Sequence, residues 1–149
     1  MSADEEFMTA ALELARRAGE AGEVPVGAVA VVAQAMVGSG ANSPIGRNDP
    51  TAHAEILALR EAARALGNYR LDDVTLYVTM EPCAMCAGAL VQARVRRLVF
   101  GARDLRFGAV RSKFRLADSE LLNHRVEVVE GVRAPECTAL LQDFFREKR

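Results

Sequence analysis

Two short polar motifs, each at the predicted start of a helix, set the strongest constraint on how this chain folds. One is His53-Ala54-Glu55, and the other is Pro82-Cys83-Ala84-Met85-Cys86. Two cysteines three residues apart in the first turn of a helix point to roughly the same side. The positive end of a helix favours thiolate, the form of cysteine that binds metal. Since His53 lies at the start of another predicted helix, two helix N-termini could converge on one ion.

The apolar pattern around these motifs predicts strands that alternate with helices. Helices are predicted from the Ser2/Glu5 capping box to about Gly19, from a Thr51 cap to Leu66, from Pro82 to Ala93, and from Pro135 onward. Strands are predicted at Val24–Ala33, from Met36, and at Val74–Met80, Arg97–Ala102 and Val126–Val129. A polar loop is predicted over residues 42–50. This alternation indicates one layered α/β domain over residues 1–149, with about five strands.

The two motifs together predict a catalytic metal site. His53, Cys83 and Cys86 supply three nitrogen or sulfur ligands, which leave a tetrahedral zinc ion one open position for water. Structural zinc sites are closed by a fourth ligand. Glu55 follows His53 by two positions, so it would lie beside the metal without ligating it. Since zinc lowers the pKa of bound water to about 7, a nearby carboxylate can relay its proton.

Taken singly, the Cys-x-x-Cys motif is also typical of a redox pair or of half a structural zinc site. A structural site needs a fourth ligand, and Cys137 and His124 are the only other cysteine or histidine in the chain. Cys137 falls on the apolar side of the last predicted helix, which favours a packing role. His124 lies in a polar turn, which favours a surface or turn-capping role. The catalytic interpretation therefore depends on both motifs together.

The charge of the chain is nearly balanced, with 19 Lys+Arg and 20 Asp+Glu, and this offers no bulk attraction for nucleic acid. The balance hides an asymmetry, because residues 1–93 sum to −6 and residues 94–149 sum to +5. Eight basic side chains between Arg94 and Arg115 are accompanied in sequence only by Asp104. Such a run is typical of a surface that faces a polyanion, or of a solvated face on a neutral protein.

Three cysteines do not suggest a disulfide framework, and a reducing compartment fits them better. The first six residues are acidic where a secretory signal would be basic, and the longest apolar stretch is well short of the ~18 residues of a spanning helix. The sequence therefore predicts a cytoplasmic protein without a membrane partner.

Longer segments extend the two motifs into a family resemblance. His53-x-Glu55 with Pro82-Cys83-x-x-Cys86 resembles the signature of zinc-dependent nucleobase deaminases. Segments 23–29, 42–47, 49–55, 68–71, 75–83, 99–104, 123–127 and 143–145 are similar to the bacterial tRNA adenosine deaminase family. That family is a branch of the cytidine/deoxycytidylate deaminase superfamily. The similarity covers nearly the whole chain, in order and without large gaps.

The resemblance implies a three-layer α/β/α cytidine-deaminase-like fold with a central five-stranded mixed sheet, assembled as a homodimer with one Zn²⁺ per subunit. It implies hydrolysis of adenosine to inosine at the wobble position of a tRNA anticodon loop, with release of ammonia. His53, Cys83 and Cys86 would be the zinc ligands and Glu55 the proton donor and acceptor. The substrate-binding residues would be Asn42, the Ala54 backbone N–H, Asp104 and Phe145.

Two alternatives remain at the level of sequence. The same zinc site could deaminate a free base or nucleoside of the guanine or cytosine type. A zinc-stabilised RNA-binding module without activity is the alternative from another class, and Glu55 argues against it because a structural site has no use for that carboxylate.

Overall fold

A five-stranded mixed sheet forms the centre of the computed structural model, which describes residues 1–148. The strands are β1 (Gly27–Val32), β2 (Ala35–Ala41), β3 (Thr75–Met80), β4 (Arg97–Ala102) and β5 (Glu127–Glu130). The helices are α1 (Ala3–Glu20), α2 (Pro44–Arg47), α3 (Ala54–Leu66), α4 (Ala84–Gln92) and α5 (Ala134–Glu147). The strand order is β2-β1-β3-β4-β5, antiparallel across β2, β1 and β3 and parallel across β3, β4 and β5.

The helices cover both faces of this sheet, which confirms the predicted three-layer α/β/α fold. Alternate strand residues point to opposite faces of a sheet. Ala28, Leu76 and Phe100 therefore pack with α3 and α4 on one face. Val29 and Tyr77 pack with α1 and α5 on the other. Arg149, the last residue of the predicted domain, lies outside the described residues.

The predicted first helix and its capping box are confirmed. The Ser2 hydroxyl accepts a hydrogen bond from the Glu5 N–H at 3.1 Å, and the Glu5 carboxylate accepts one from the Ser2 N–H at 3.2 Å. These two bonds satisfy backbone donors that the first helical turn leaves without partners. The apolar side of α1 then buries Met8 and Leu12 against the sheet.

The prediction that Thr51 caps the third helix is wrong, because α3 begins at Ala54 with His53 as its N-cap. The Thr51 N–H and hydroxyl both donate to the Asp49 carboxylate, at 2.9 and 2.8 Å. This local turn holds Thr51 outside the helix. The predicted end of the helix is confirmed, since Gly67 follows Leu66 in a left-handed conformation.

Two further predictions differ from the structure near the metal motifs. Pro82 was predicted in the first turn of α4, but the helix begins at Ala84 and Cys83 is its N-cap. The Pro82 carbonyl accepts instead from the Ala109 N–H, and Cys83 pairs with Gly108 in an antiparallel bridge. The polar loop predicted over residues 42–50 contains one turn of helix, α2.

Close contact between α3 and β2 depends on two glycines. A Cβ on Gly38 would collide with the Ala58 carbonyl oxygen, and a Cβ on Gly40 with that of Ala54. The absence of side chains lets the first turns of α3 lie directly on the strand, so His53 and Glu55 are held close to the end of the sheet. Among residues 1–148, no helix is both long enough and apolar enough to cross a membrane.

Candidate metal and substrate site

The starts of α3 and α4 bring the two sequence motifs together. His53 is the N-cap of α3 and Cys83 the N-cap of α4, and neither side chain caps its own helix. Cys86 lies in the first turn of α4 and is fully buried. The side chains of all three residues are therefore available to one another, beside two positive helix ends that stabilise thiolate.

Ligand atoms of His53, Cys83 and Cys86 lie within 4.8 Å of one another. The Nδ1 atom of His53 is 3.6 Å from the Cys83 Sγ and 3.5 Å from the Cys86 Sγ. A tetrahedral zinc ion with bond lengths of about 2.3 Å to sulfur and 2.0 Å to nitrogen separates those two atom types by about 3.5 Å. The donor set and its spacing therefore fit a zinc ion with one further position.

The two cysteines differ in their acid–base character. The Cys86 side chain and then His53 form hydrogen bonds to the Cys83 sulfur, which lower the pKa of Cys83 to about 4 against the opposing effect of burial. The same contact with Cys83, together with burial, raises the pKa of Cys86. Of the two thiols, Cys83 is therefore the one that loses its proton more readily.

Glu55 lies in the first turn of α3 and is only 4% exposed. Burial raises the pKa of its carboxyl to about 7, and the charge of Cys83 acts in the same direction while His53 acts against it. A carboxyl group with a pKa near 7 can both accept and donate a proton at neutral pH. Glu55 therefore has the properties of a proton carrier next to the ligand cluster.

A cavity of about 480 Å³, called here the central cavity, opens onto this cluster. Its lining includes two of the predicted ligands, the predicted proton carrier and three of the four predicted substrate-binding residues. These are His53, Cys83, Glu55, Asn42, Asp104 and Phe145. Ala54, the fourth, is buried between His53 and Glu55 at the start of α3. The Asn42 amide is fixed by a 3.2 Å hydrogen bond that its Nδ2 donates to the Val24 carbonyl.

Sequence reasoning missed several residues of the cavity wall. These are Val24, Val26, Met80, Glu81, Arg106 and Phe107. Arg106 and Phe107 follow Asp104 by two and three positions, so their proximity in sequence was the signal available. A larger groove of about 770 Å³, called here the side groove, adjoins the cavity through Arg106 and Phe145. None of the three candidate metal ligands lines the side groove.

Glu81 organises the segment that forms one wall of the central cavity. Its carboxylate is buried, and it accepts hydrogen bonds from backbone N–H groups of Asp104 (3.0 Å), Val110 (3.1 Å), Arg111 (2.7 Å) and Ser112 (2.9 Å). The Ser112 hydroxyl donates a fifth, at 2.5 Å. Burial raises the pKa of Glu81, but these hydrogen bonds outweigh burial and hold the pKa below its usual value. Residues 104–112 are thus tied to the strand end that precedes Cys83.

Within the described residues, three of the eight basic side chains between Arg94 and Arg115 form ion pairs with acidic residues outside the run. The ion pairs join Arg97 to Asp4 and Glu127, Arg103 to Glu130, and Arg111 to Asp118. Within residues 1–148, exposed basic side chains of the run without an ion pair are Arg96, Arg106, Lys113 and Arg115. The exposed and unpaired positive charge of the run is therefore carried by these four side chains.

Comparisons with known proteins agree with this geometry. A family model of MafB19-like deaminases matches residues 2–149. A tRNA-specific adenosine deaminase of Haemophilus influenzae is 52% identical over 147 residues, which are 98% of this chain and 85% of that protein. A structure from work on A-to-I editing by tRNA:A34 deaminases at the wobble position has a TM-score of 0.88 and 45% identity, covering 91% of this chain and 99% of that one. A guanine deaminase of Nitrosomonas europaea has a TM-score of 0.81 and 27% identity, covering 94% and 83%.

Proposed function

Because the chain belongs to the MafB19-like deaminase family, we propose that it is a tRNA adenosine deaminase that acts at the wobble position of the anticodon. The reaction is hydrolytic: adenosine becomes inosine and ammonia is released. The observation that carries this proposal is the buried Glu55 beside the cluster of His53, Cys83 and Cys86, at the wall of one cavity. The identity with a tRNA-specific adenosine deaminase, 52% over 98% of the chain, supports adenosine in RNA as the substrate.

One zinc ion per subunit is the proposed cofactor, held by His53, Cys83 and Cys86. The spacing of these donors supports zinc, and three protein ligands are the number found in catalytic zinc sites. When bound, zinc supplies Lewis acidity, which lowers the pKa of water to about 7.

Glu55 moves the protons of the reaction. It takes a proton from the attacking water and delivers it to N1 of adenine as the new C6–O bond forms. It then takes the proton of the new C6 hydroxyl and delivers it to the amino group, which leaves as ammonia as the C6–N bond breaks and the C6=O bond forms. A pKa of about 7 suits a group that must accept and donate in the same cycle.

Asn42, Ala54, Asp104 and Phe145 are the proposed substrate contacts. Asn42 hydrogen-bonds the flipped nucleotide, and the Ala54 backbone N–H contacts the base. Asp104 lies by the neighbouring nucleotides of the loop, and Phe145 lines the path of the RNA. Deaminases must reach a base outside the stack, and an anticodon loop presents one at little unstacking cost.

The side groove supports a local contact with RNA. Its lining includes Arg106, Arg146 and Lys148, and it joins the central cavity through Arg106. Basic side chains along such a groove bind backbone phosphates. The chain can therefore bind an anticodon loop even though its net charge is −1.

A homodimer is the proposed assembly. A groove of about 490 Å³ between α3 and α4 is lined by Ile56, Leu59, Tyr69 and other largely apolar residues. Tyr69 is 77% exposed there. Sedimentation equilibrium of the wild type and Tyr69→Glu tests the assembly, since a charge in an apolar interface would dissociate the dimer. A monomeric wild type contradicts it.

Deamination of a free base is the second candidate, and the similarity to a guanine deaminase favours it over a role in binding alone. Zinc-loaded protein is incubated with an anticodon stem–loop that carries adenosine at the wobble position, and in parallel with cytidine, adenine and guanine. The matched control is the same stem–loop with its adenosine moved by one position. Inosine only at the wobble position supports the proposal, whereas ammonia only from a free base overturns it. Binding of the stem–loop without any reaction would favour the zinc-stabilised RNA-binding module without activity.

A further inference from the structure

Phe107 places an exposed aromatic ring at the wall of the central cavity. The side chain is 66% exposed, although burying a phenylalanine ring normally stabilises a fold. Several aromatic rings of the chain do pack within the fold. Phe7 packs on Tyr77 with 5.3 Å between ring centroids, and Phe100 is fully buried. Tyr69 and Phe114 are also exposed, but unlike Phe107 they do not line the central cavity.

The backbone that carries this ring is fixed. One carboxylate oxygen of Asp104 accepts hydrogen bonds from the N–H groups of Arg106 and Phe107, both at 3.1 Å. The Gly108 N–H donates to the Asp104 carbonyl at 2.9 Å, and a Cβ on Gly108 would collide with the Glu81 carboxylate. The ring is thus presented by a segment that is already ordered, which lowers the entropic cost of binding a ligand.

The surroundings of the ring suit a nucleobase attached to a phosphate. The guanidinium carbon of Arg106 lies 5.8 Å from the centroid of the Phe107 ring. Arg106 also lines the side groove, where Arg146 and Lys148 lie. Aromatic rings next to basic side chains are typical of sites that stack bases and bind the adjoining backbone.

We propose that Phe107 stacks on a base of the anticodon loop next to the reacting adenosine, while Arg106 binds the adjoining phosphate. This inference rests on the proposed function, because the loop is delivered by the same RNA substrate. Since every base has an aromatic face, the contact adds affinity without selecting one neighbouring base. It acts on binding more than on the chemical step, because Phe107 is neither a metal ligand nor a proton carrier.

The test compares Phe107→Ala and Phe107→Tyr with a matched control, Phe114→Ala. Phe114 is 59% exposed on the same part of the chain and is not among the residues that line the central cavity. Phe107→Ala should raise KM for the stem–loop about 5- to 150-fold, with a smaller change in kcat. Phe107→Tyr should have a KM close to that of the wild type, because it keeps an aromatic face. Phe114→Ala should match the wild type.

A fluorescence measurement separates stacking from other causes. 2-Aminopurine is placed beside the wobble adenosine, and its emission is followed as zinc-loaded protein is added. Quenching by the wild type and Phe107→Tyr, with less quenching by Phe107→Ala at saturation, supports stacking. Equal quenching by all variants, or equal losses in Phe107→Ala and Phe114→Ala, overturns it. If the wild type binds the RNA but forms no inosine, the proposed function fails while this fluorescence comparison still decides the stacking.

Discussion

Glu81 should be one of the most sensitive positions for stability outside the metal cluster. Its carboxylate is 3% exposed and receives four backbone N–H groups and one hydroxyl. Glu81→Gln keeps the shape and one oxygen, but it removes the charge. It also turns an NH₂ group toward backbone N–H donors, which it cannot satisfy.

The expected cost follows from those hydrogen bonds. A hydrogen bond to a charged group contributes about 1.5–3 kcal/mol, compared with about 1 kcal/mol for a neutral one. Two lost bonds of this kind amount to about 3–6 kcal/mol in the free energy of unfolding. For a chain of this length, that corresponds to a fall in Tm of about 10–20 °C.

Differential scanning calorimetry of the zinc-loaded wild type, Glu81→Gln and a control measures this change at neutral pH. The control is Glu127→Gln, since the Glu127 side chain is 69% exposed and forms a 3.1 Å ion pair with Arg97. An exposed pair contributes at most about 1 kcal/mol, so the control should unfold within a few degrees of the wild type. A Tm for Glu81→Gln as high as that of the control would refute the role assigned to this carboxylate.

Three other predictions concern the site, the fold and the RNA surface. Glu55→Ala should retain one zinc ion per subunit by atomic absorption and lose at least ~100-fold in kcat, and turnover equal to that of the wild type would remove Glu55 from the mechanism. Hydrogen bonds from Arg97 lower the pKa of Asp4 below 3.8 against the opposing effect of burial, so this pair stabilises the fold above that pH and its contribution is lost as pH falls through the lowered pKa. Asp4→Asn should therefore cost about 1–2 kcal/mol in urea unfolding at pH 7 and less below pH 3.8, whereas a pH-independent difference would contradict the pairing. Lys113→Ala should reduce the slope of log Kd for the stem–loop against log salt by about 1, while Arg111→Gly should mainly lower Tm. An unchanged slope for Lys113→Ala would show that Lys113 is a solvated surface side chain that does not contact the RNA.

The strands and the ligand cluster were predictable because their signals are local. Runs of β-branched residues predict buried strands, and β4 has the predicted bounds Arg97–Ala102. Ligand residue types at a short spacing likewise indicate a metal site before any fold is known. The structure brings His53, Cys83 and Cys86 together within 4.8 Å, as two converging helix starts require.

The features that were mispredicted depend on partners elsewhere in the chain or on side chains that compete with the backbone. The Asp49 carboxylate accepts a hydrogen bond from the Thr51 N–H, and α3 begins only at Ala54. Helix patterns in the sequence do not reveal such competition between a side chain and the helix for a backbone N–H. Arg97 appeared as part of a cationic run, yet its partner Asp4 lies 93 positions away. The role of Glu81 was invisible for the same reason, because its hydrogen-bond donors lie 23–31 positions further along the chain.

The most direct test of deamination at the wobble position is sequencing of a treated transfer RNA pool, since inosine is copied as guanosine. Unmodified transfer RNAs are incubated with zinc-loaded wild type or with Glu55→Ala and then reverse-transcribed. We expect A-to-G changes confined to the wobble adenosine of the anticodon with the wild type, and none with Glu55→Ala. Changes at other adenosines to the same extent, or no change while free guanine is consumed, would contradict it.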